Sequence, residues 1–216
     1  MLLSHKHKFV TIDIPKTGTR SFRETLNKKN LVEVIGGAGS QFNQHAGIRE
    51  IRDIFIKNEW NIEDYFCMAV VRNPWKRYFS FFNYFKEYGE KYLKRDPSIN
   101  WGEAQVIQGK RSASLFQDSN QSAMREIIKT TEPQHSYYSI EGEIKVNHIA
   151  VFENINDEFV FFCEKNGIEP LTLCHSNNSK KTLHIEEVFD ASLIDLVYKK
   201  EKQVIEQFEY SFNVEL

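Results

Sequence analysis

The chain has 216 residues, a formal net charge of −2 and 41% hydrophobic residues, a balance typical of one globular domain, which we expect to span residues 1–216. The charge argues against a surface that attracts polyanions, and no basic run interleaved with aromatic residues indicates nucleic-acid binding. No apolar stretch is long enough for a transmembrane helix, and the first ten residues lack a signal-peptide pattern.

The three cysteines are Cys67, Cys163 and Cys174, and they form no CxxC pair. An odd number of scattered cysteines is typical of small buried side chains in a reducing compartment, so we expect a cytoplasmic protein. The His, Cys, Asp and Glu residues do not have the spacing of a metal site, and we expect no metal.

The first third of the chain predicts two strands and two helices. The β-rich run Phe9–Ile14 predicts a strand, and the glycine-containing loop after it leads into a helix over Ser21–Asn27. After a glycine-rich loop at residues 36–39, isoleucines at three- and four-residue spacing predict a helix over Ala46–Ile56. The apolar run Phe66–Val71 predicts a buried parallel strand.

A long aromatic helix is predicted after this second strand, with Asn73 as its cap and Pro74 in its first turn. Its aromatic stripe is typical of a face that packs against a core. The outer rings of Tyr84 and Tyr88 leave open an alternative, a platform for an adenine or a sugar.

The remaining segments predict further strand and helix alternation. Residues 96–145 have the composition of short helices and loops rich in polar groups. Because insertions of this kind often carry substrate contacts, we expect such contacts here. Asn147–Phe152 predicts a third strand, a helix then runs to Gly167, and Ala191–Phe208 predicts a C-terminal helix with one apolar face. This alternation predicts an α/β sandwich with a mainly parallel sheet.

The segment IDIPKTGTRSF, residues 12–22, predicts a phosphate-binding loop. A strand, a tight loop and a helix point backbone amides and the helix N-terminus at an anion, and Lys16 adds a point charge. The hydroxyls of Thr17, Thr19 and Ser21 are further donors, while Arg20 either grips an oxyanion or points away. Lys16 precedes Gly18, so this is not a Walker A loop, and a capped turn with exposed cations is the alternative.

A second motif, VVRNPWKRYFSFF at residues 70–82, places Arg72 at a strand end and Ser80 two turns into the next helix. Together the two motifs resemble the sulfotransferase family that includes carbohydrate sulfotransferases. Within that family, the chain resembles a bacterial-type soluble member. The resemblance covers most of the chain, because residues 132–138, 151–168 and 175–181 and the ending FEYSF are also similar to family segments.

The resemblance implies a P-loop-like three-layer sandwich, with a central, mainly parallel sheet flanked by helices. It also implies the donor 3′-phosphoadenosine 5′-phosphosulfate (PAPS) and no essential metal. The first motif would hold the 5′-phosphosulfate, and Arg72 and Ser80 would bind the 3′-phosphate. The resemblance also implies that Lys180 and Lys181 approach the 3′-phosphate. The matching donor positions are Lys16, Thr17, Gly18, Thr19, Ser21, Arg72 and Ser80, with Arg20 as a departure from the usual small hydroxyl residue.

For the chemistry, we expect Lys16 to neutralise charge on the leaving phosphate and His45 to act as the base. A histidine's ordinary pKa near 6.5 suits proton removal at neutral pH. The alternative is that His45 only caps a helix or lies on the surface. A saccharide or glycoconjugate hydroxyl is the expected acceptor, and its candidate contacts are Arg49, Arg52, Gln134 and His135.

Two other functions remain open from the residues alone. A kinase or other phosphoryl transferase would use the same loop shape with ATP and Mg²⁺. A non-catalytic nucleotide- or carbohydrate-binding module would bind its ligand without turnover.

Overall fold

The structure is a computed structural model and describes residues 1–37, 40, 42–174 and 183–212. The strands are β1 (Leu2–Ser4), β2 (Phe9–Ile12), β3 (Val34–Ile35), β4 (Phe66–Val71), β5 (Ser139–Ile140), β6 (Glu143–Ile144) and β7 (His148–Val151). The helices are α1 (Thr19–Lys28), α2 (Ile48–Lys57), α3 (Pro74–Lys94), α4 (Glu103–Leu115), α5 (Asn120–Thr130), α6 (His135–Tyr138), α7 (Ile155–Lys165), α8 (Ile185–Val188) and α9 (Ala191–Gln207).

The described residues form two compact units. The first comprises those of Met1–Asn73 and Pro133–Asn178, and the second comprises those of Pro74–Glu132 and Ser179–Leu216. All seven described strands lie in the first unit, whereas every described secondary-structure element of the second unit is a helix. The phosphate-loop candidate and Arg72 therefore belong to the first unit.

The first unit is built on a five-stranded mixed sheet of order β3-β1-β2-β4-β7. The pairs β2-β4 and β4-β7 are parallel, while β1 is antiparallel to both β2 and β3. Four of the five strands therefore point the same way, and the predicted α/β class is confirmed. Since β2, β4 and β7 are parallel neighbours, the segments that follow them emerge at one edge of the sheet.

One face of this sheet is covered by α1 and α7. Phe66, Met68 and Val70 alternate along β4, and all three pack in one cluster with the aromatic side chains of the two helices. Phe22 of α1 contacts Phe159 of α7 edge-to-face, with ring centroids 4.7 Å apart. This packing holds α1, and with it the loop in front of α1, against the sheet.

The second unit packs α3, α5, α8 and α9 around an apolar core. Tyr78 and Phe82 of α3 have no solvent exposure, which confirms that the aromatic stripe packs in a core. The outer ring of Tyr84 is 42% exposed and stacks on Tyr88, with centroids 5.9 Å apart. Among the described residues, no helix is long and apolar enough to cross a membrane.

Several boundaries differ from the prediction. Strand β1 was not predicted, because three residues are too short to show alternation. Residues 96–145 contain two well-formed helices, α4 and α5, rather than short ones only. Only Gly109 and Ser112 of α4 are buried, so this helix has no apolar stripe that a periodicity argument detects.

Candidate functional site

The loop between β2 and α1 has a backbone that few sequences adopt. Lys16 has φ +69° and Gly18 has φ +80°, both in the left-handed region, and Gly18 is the N-cap of α1. Such a conformation is uncommon for a residue other than glycine and concentrates at functional sites. Gly18 has no side chain that could cap the helix. The N-terminus of a helix carries a partial positive charge and is a favourable position for an anion.

The hydroxyl of Thr17 has a structural partner within this loop. It is fully buried and donates to the backbone carbonyl of Ile14 at 2.9 Å, which closes the turn. The side chain of Arg20 is 64% exposed and forms an ion pair with Glu24 at 2.8 Å. In this conformation Arg20 lies on the solvent-exposed face of α1. This agrees with the alternative in which Arg20 points away from a bound oxyanion.

Arg72 lies beside this loop at the end of β4. Its Nη1 donates to the backbone carbonyl of Lys16 at 3.2 Å, and its guanidinium lies 4.4 Å from the centre of the Phe152 ring. A planar guanidinium over an aromatic face is a favourable cation–π arrangement. The residues after β2, β4 and β7 therefore meet at the carboxyl edge of the parallel strands.

His45 is partly buried in the same unit, in the segment before α2. Its Nδ1 lies 2.6 Å from the backbone carbonyl oxygen of Asp13. Because a carbonyl oxygen only accepts, Nδ1 carries the proton, and Nε2 of the neutral ring has the free lone pair. Burial lowers the pKa of His45 below its ordinary value, although the Asp13 carbonyl and the Asp13 carboxylate oppose this effect.

Asp13 and Arg23 also lie near this end of the sheet, although neither was predicted as a site residue from the sequence. The Asp13 carboxylate is buried and forms ion pairs with Arg23 and with the Met1 ammonium, at 2.5 and 3.3 Å. Arg23 also donates to the Gly36 carbonyl at 3.0 Å. These contacts tie the residue after β2 to helix α1, to the N-terminus and to Gly36. The indication in the sequence is an aspartate placed directly after an apolar strand.

The candidate acceptor contacts are placed differently from one another. Gln134 is fully buried, and its side chain bonds the backbone of Arg72. His135 is partly buried in the first turn of α6, and Arg49 is exposed on α2. Arg52 pairs with Glu63 at 3.1 Å and lines a cavity of about 200 Å³ with Cys67, at the opposite end of β4 from Arg72. The structure therefore does not bring Arg52 together with the loop.

Ser80, Lys180 and Lys181, which were also predicted to bind PAPS, do not lie among the described residues of the first unit. Ser80 is partly buried on α3, in the second unit. Lys180 and Lys181 fall outside the described residues, as does part of the glycine-rich loop at residues 36–39. Within the described part of the chain, no group of three or more His, Cys, Asp or Glu side chains is arranged to hold a metal ion.

Comparison with known proteins identifies the family. A family model described as "Sulfotransferase family" matches residues 1–211. No curated protein and no solved structure matched the chain. Since the family match spans almost all of the 216 residues, the chain belongs to the sulfotransferase family.

Proposed function

We propose that the chain transfers a sulfuryl group from PAPS to a hydroxyl of a saccharide or glycoconjugate. Membership of the sulfotransferase family supports the reaction class. The observation that carries the donor assignment is the hydrogen bond from Arg72 to the Lys16 carbonyl, because it joins two motif cations at one sheet edge. In this proposal residues 1–216 act as one sulfotransferase domain with a P-loop-like three-layer fold.

The groups at this edge suit a nucleotide that carries several negative charges. Lys16 and Arg72 are cations, and the N-terminus of α1 adds the partial positive charge of the helix dipole. Thr19 and Ser21 stand in the first turn of α1, where hydroxyls add donors. We assign Thr17 a contact through its backbone amide, since its hydroxyl is engaged with Ile14. For Ser80, Lys180 and Lys181 the support is the family resemblance.

When bound, PAPS supplies a sulfuryl group activated by its phosphate leaving group. His45 accepts the proton of the acceptor hydroxyl at Nε2, while Nδ1–H stays bonded to the Asp13 carbonyl. Lys16 would hold the phosphate group that leaves, and its positive charge would stabilise the negative charge that develops there. A fixed donor of this kind typically contributes about 3 kcal/mol, and general-base catalysis contributes roughly 10²- to 10⁴-fold in rate.

The acceptor class rests on the family and on the position of the base. We propose that Arg49 and His135 contact the acceptor, because both lie on elements adjacent to His45. Gly47, two residues after His45, lies against the backbone of Tyr137 in α6, and a Cβ on Gly47 would be 3.4 Å from the Tyr137 carbonyl oxygen. The N-terminus of α2 and helix α6 therefore adjoin one another beside the proposed base.

The first experiment is a thermal-shift titration with 3′,5′-adenosine bisphosphate (PAP), the expected product, alongside ATP with Mg²⁺. Ligand at 100 times its Kd stabilises a protein by about 2.7 kcal/mol, which corresponds to a shift of roughly 5–10 °C for a chain of this length. Stabilisation by PAP alone supports the proposal. Stabilisation by ATP alone would replace it with a phosphoryl transferase, and no response to either would remove the donor assignment.

A variant series then tests the individual roles. Lys16→Ala and Arg72→Ala should abolish PAP binding or weaken it at least tenfold. His45→Ala should keep PAP binding and lose transfer of labelled sulfuryl to saccharides by roughly 10²-fold or more. The control Lys57→Ala removes an exposed positive charge at the far end of α2 and should leave both measurements unchanged. Binding without turnover by the wild type towards every saccharide offered would favour the non-catalytic module.

A further inference from the structure

The backbone of Arg72 is held by a side chain from a distant part of the chain. The Arg72 amide donates to Oε1 of Gln134 at 2.9 Å, and Nε2 of Gln134 donates to the Arg72 carbonyl at 2.9 Å. Gln134 is 0% exposed and lies 62 residues further along the chain. The amide group of one side chain thus makes the paired bonds that a neighbouring strand would make.

The reason for this arrangement lies in how the sheet ends. The pairing of β4 with β2 stops at Ala69, opposite Ile12, because β2 turns away into the loop. The pairing of β4 with β7 stops at Val71, opposite Val151. Arg72 is the first residue beyond both ladders, so its backbone groups need other partners.

A second side chain continues the pattern by one residue. The amide of Asn73 donates to Oε1 of Glu153 at 2.9 Å, and Asn73 is almost fully buried. Glu153 follows Phe152, whose ring lies under the Arg72 guanidinium. Side chains from outside both sequence motifs therefore hold two consecutive amides and one guanidinium.

We propose that Gln134 is a positioning residue for Arg72, rather than an acceptor contact. By holding both backbone groups of Arg72, it sets the direction in which the side chain leaves the strand. The guanidinium then reaches the Lys16 carbonyl and the face of Phe152 together. The link from this geometry to donor affinity rests on the proposed function.

The chemistry of the two side chains separates this role from general packing. Gln134 uses both a donor and an acceptor, so Gln134→Glu keeps one bond and sets a carboxylate oxygen against the Arg72 carbonyl. Gln134→Met keeps the length of the side chain and loses both bonds. Glu153 accepts from the Asn73 amide, so Glu153→Gln can keep this bond through its side-chain carbonyl oxygen.

The test combines PAP titration calorimetry with hydrogen exchange at the Arg72 amide. Gln134→Met and Gln134→Glu should weaken PAP binding by about tenfold or more, since an unpaired buried polar group is costly. Gln134→Met should also speed exchange of the Arg72 amide, because it removes the acceptor of that amide, whereas Gln134→Glu keeps an acceptor and should exchange more slowly than Gln134→Met. Glu153→Gln should leave exchange of the Arg72 amide unchanged, since its bond is to Asn73. Exchange is measured without ligand and so does not depend on the proposed function.

A matched control removes an unrelated buried hydrogen bond. Asn166 donates to the Phe162 carbonyl at 2.7 Å at the C-terminal end of α7. Asn166→Ala should lower thermal stability and leave PAP affinity and Arg72 exchange unchanged.

Wild-type affinity and unchanged exchange in Gln134→Met would overturn the positioning role, and so would equal loss of affinity in Asn166→Ala. If the wild type binds no PAP, the proposed function fails. Hydrogen exchange at the Arg72 amide alone then decides whether Gln134 positions Arg72. Faster exchange of the Arg72 amide in Gln134→Met then supports the positioning role, and unchanged exchange in this variant removes it.

Discussion

The ring of Phe152 lies where a side chain at position 18 would project. A Cβ built on Gly18 would be 2.3 Å from Cε2 of Phe152, well inside any normal contact. The same ring lies 4.4 Å from the Arg72 guanidinium. The Phe152 ring therefore packs against both the β2–α1 loop and Arg72. Only glycine at position 18 allows the loop to approach the ring this closely.

We expect Gly18→Ala to damage the loop for two reasons, its φ of +80° and the contact with Phe152. Gly142 offers a matched control, because its φ is +83° and a Cβ there would meet no heavy atom within 4 Å beyond its chain neighbours. Gly142→Ala should lower the free energy of unfolding by about 1 kcal/mol, from the backbone cost alone. Gly18→Ala should cost clearly more and weaken PAP binding. Equal losses in urea unfolding would contradict a specific role for Phe152.

The burial of His45 leads to a prediction about pH. The lowered pKa means that Nε2 of His45 loses its proton at a lower pH than the imidazole of an ordinary histidine does. The acid limb of kcat/KM against pH should therefore lie below 6.5, with a plateau at neutral pH. A limb above 6.5, or an unchanged limb in His45→Gln, would exclude this histidine as the base.

The same shift has a consequence for stability. The folded chain protonates His45 less readily than the unfolded chain does. The contribution of His45 to the free energy of unfolding therefore falls as pH drops below 6.5. His45→Gln can still donate to the Asp13 carbonyl but does not titrate. Its urea midpoint should vary less between pH 7 and pH 5 than that of the wild type.

Arg77 and Glu201 form a fully buried ion pair in the second unit. The Nη1–Oε1 distance is 2.9 Å, both side chains have no exposure, and the Tyr78 hydroxyl donates to the same carboxylate oxygen at 3.1 Å. Glu201→Ala would leave the guanidinium buried without its carboxylate, so we expect a loss of about 3–5 kcal/mol. Circular dichroism during urea unfolding measures this loss.

The exposed pair Lys199 and Asp195, on the same helix as Glu201, serves as the control. Asp195→Ala should cost less than about 1 kcal/mol. The double variant Arg77→Met with Glu201→Leu should recover much of the stability, because apolar side chains of similar size can replace a buried pair. A small effect of Glu201→Ala would mean that water or another group reaches Arg77.

The cysteines should differ in reactivity. Burial raises the pKa of the Cys67 thiol to about 12, and burial also raises the pKa of Cys163. Cys174 is partly exposed. A thiol reagent at pH 8, followed by peptide mapping, should modify Cys174 first and reach Cys67 and Cys163 only on unfolding. Rapid labelling of Cys67 would show that the cavity beside it opens to solvent.

Much of the local structure could be predicted from the sequence, because its causes are local. The apolar run at β4 matches Phe66–Val71 residue for residue, and the strand, loop and helix around Lys16 lie where the motif predicts them. The family match over residues 1–211 confirms the resemblance that the two motifs indicated. Hydrophobic runs, glycine and proline act over a few residues, so one chain segment carries the whole pattern.

The roles of individual side chains were decided by the tertiary structure. Gln134 and Arg52 looked equally suited to an acceptor, yet one bonds the Arg72 backbone and the other lines a cavity at the far end of β4. The tautomer of His45 depends on the Asp13 carbonyl, 32 residues away. The sequence by itself determined the α/β elements and the family, whereas partner choice depends on where strands end and on which distant groups are buried together, and no local pattern encodes either.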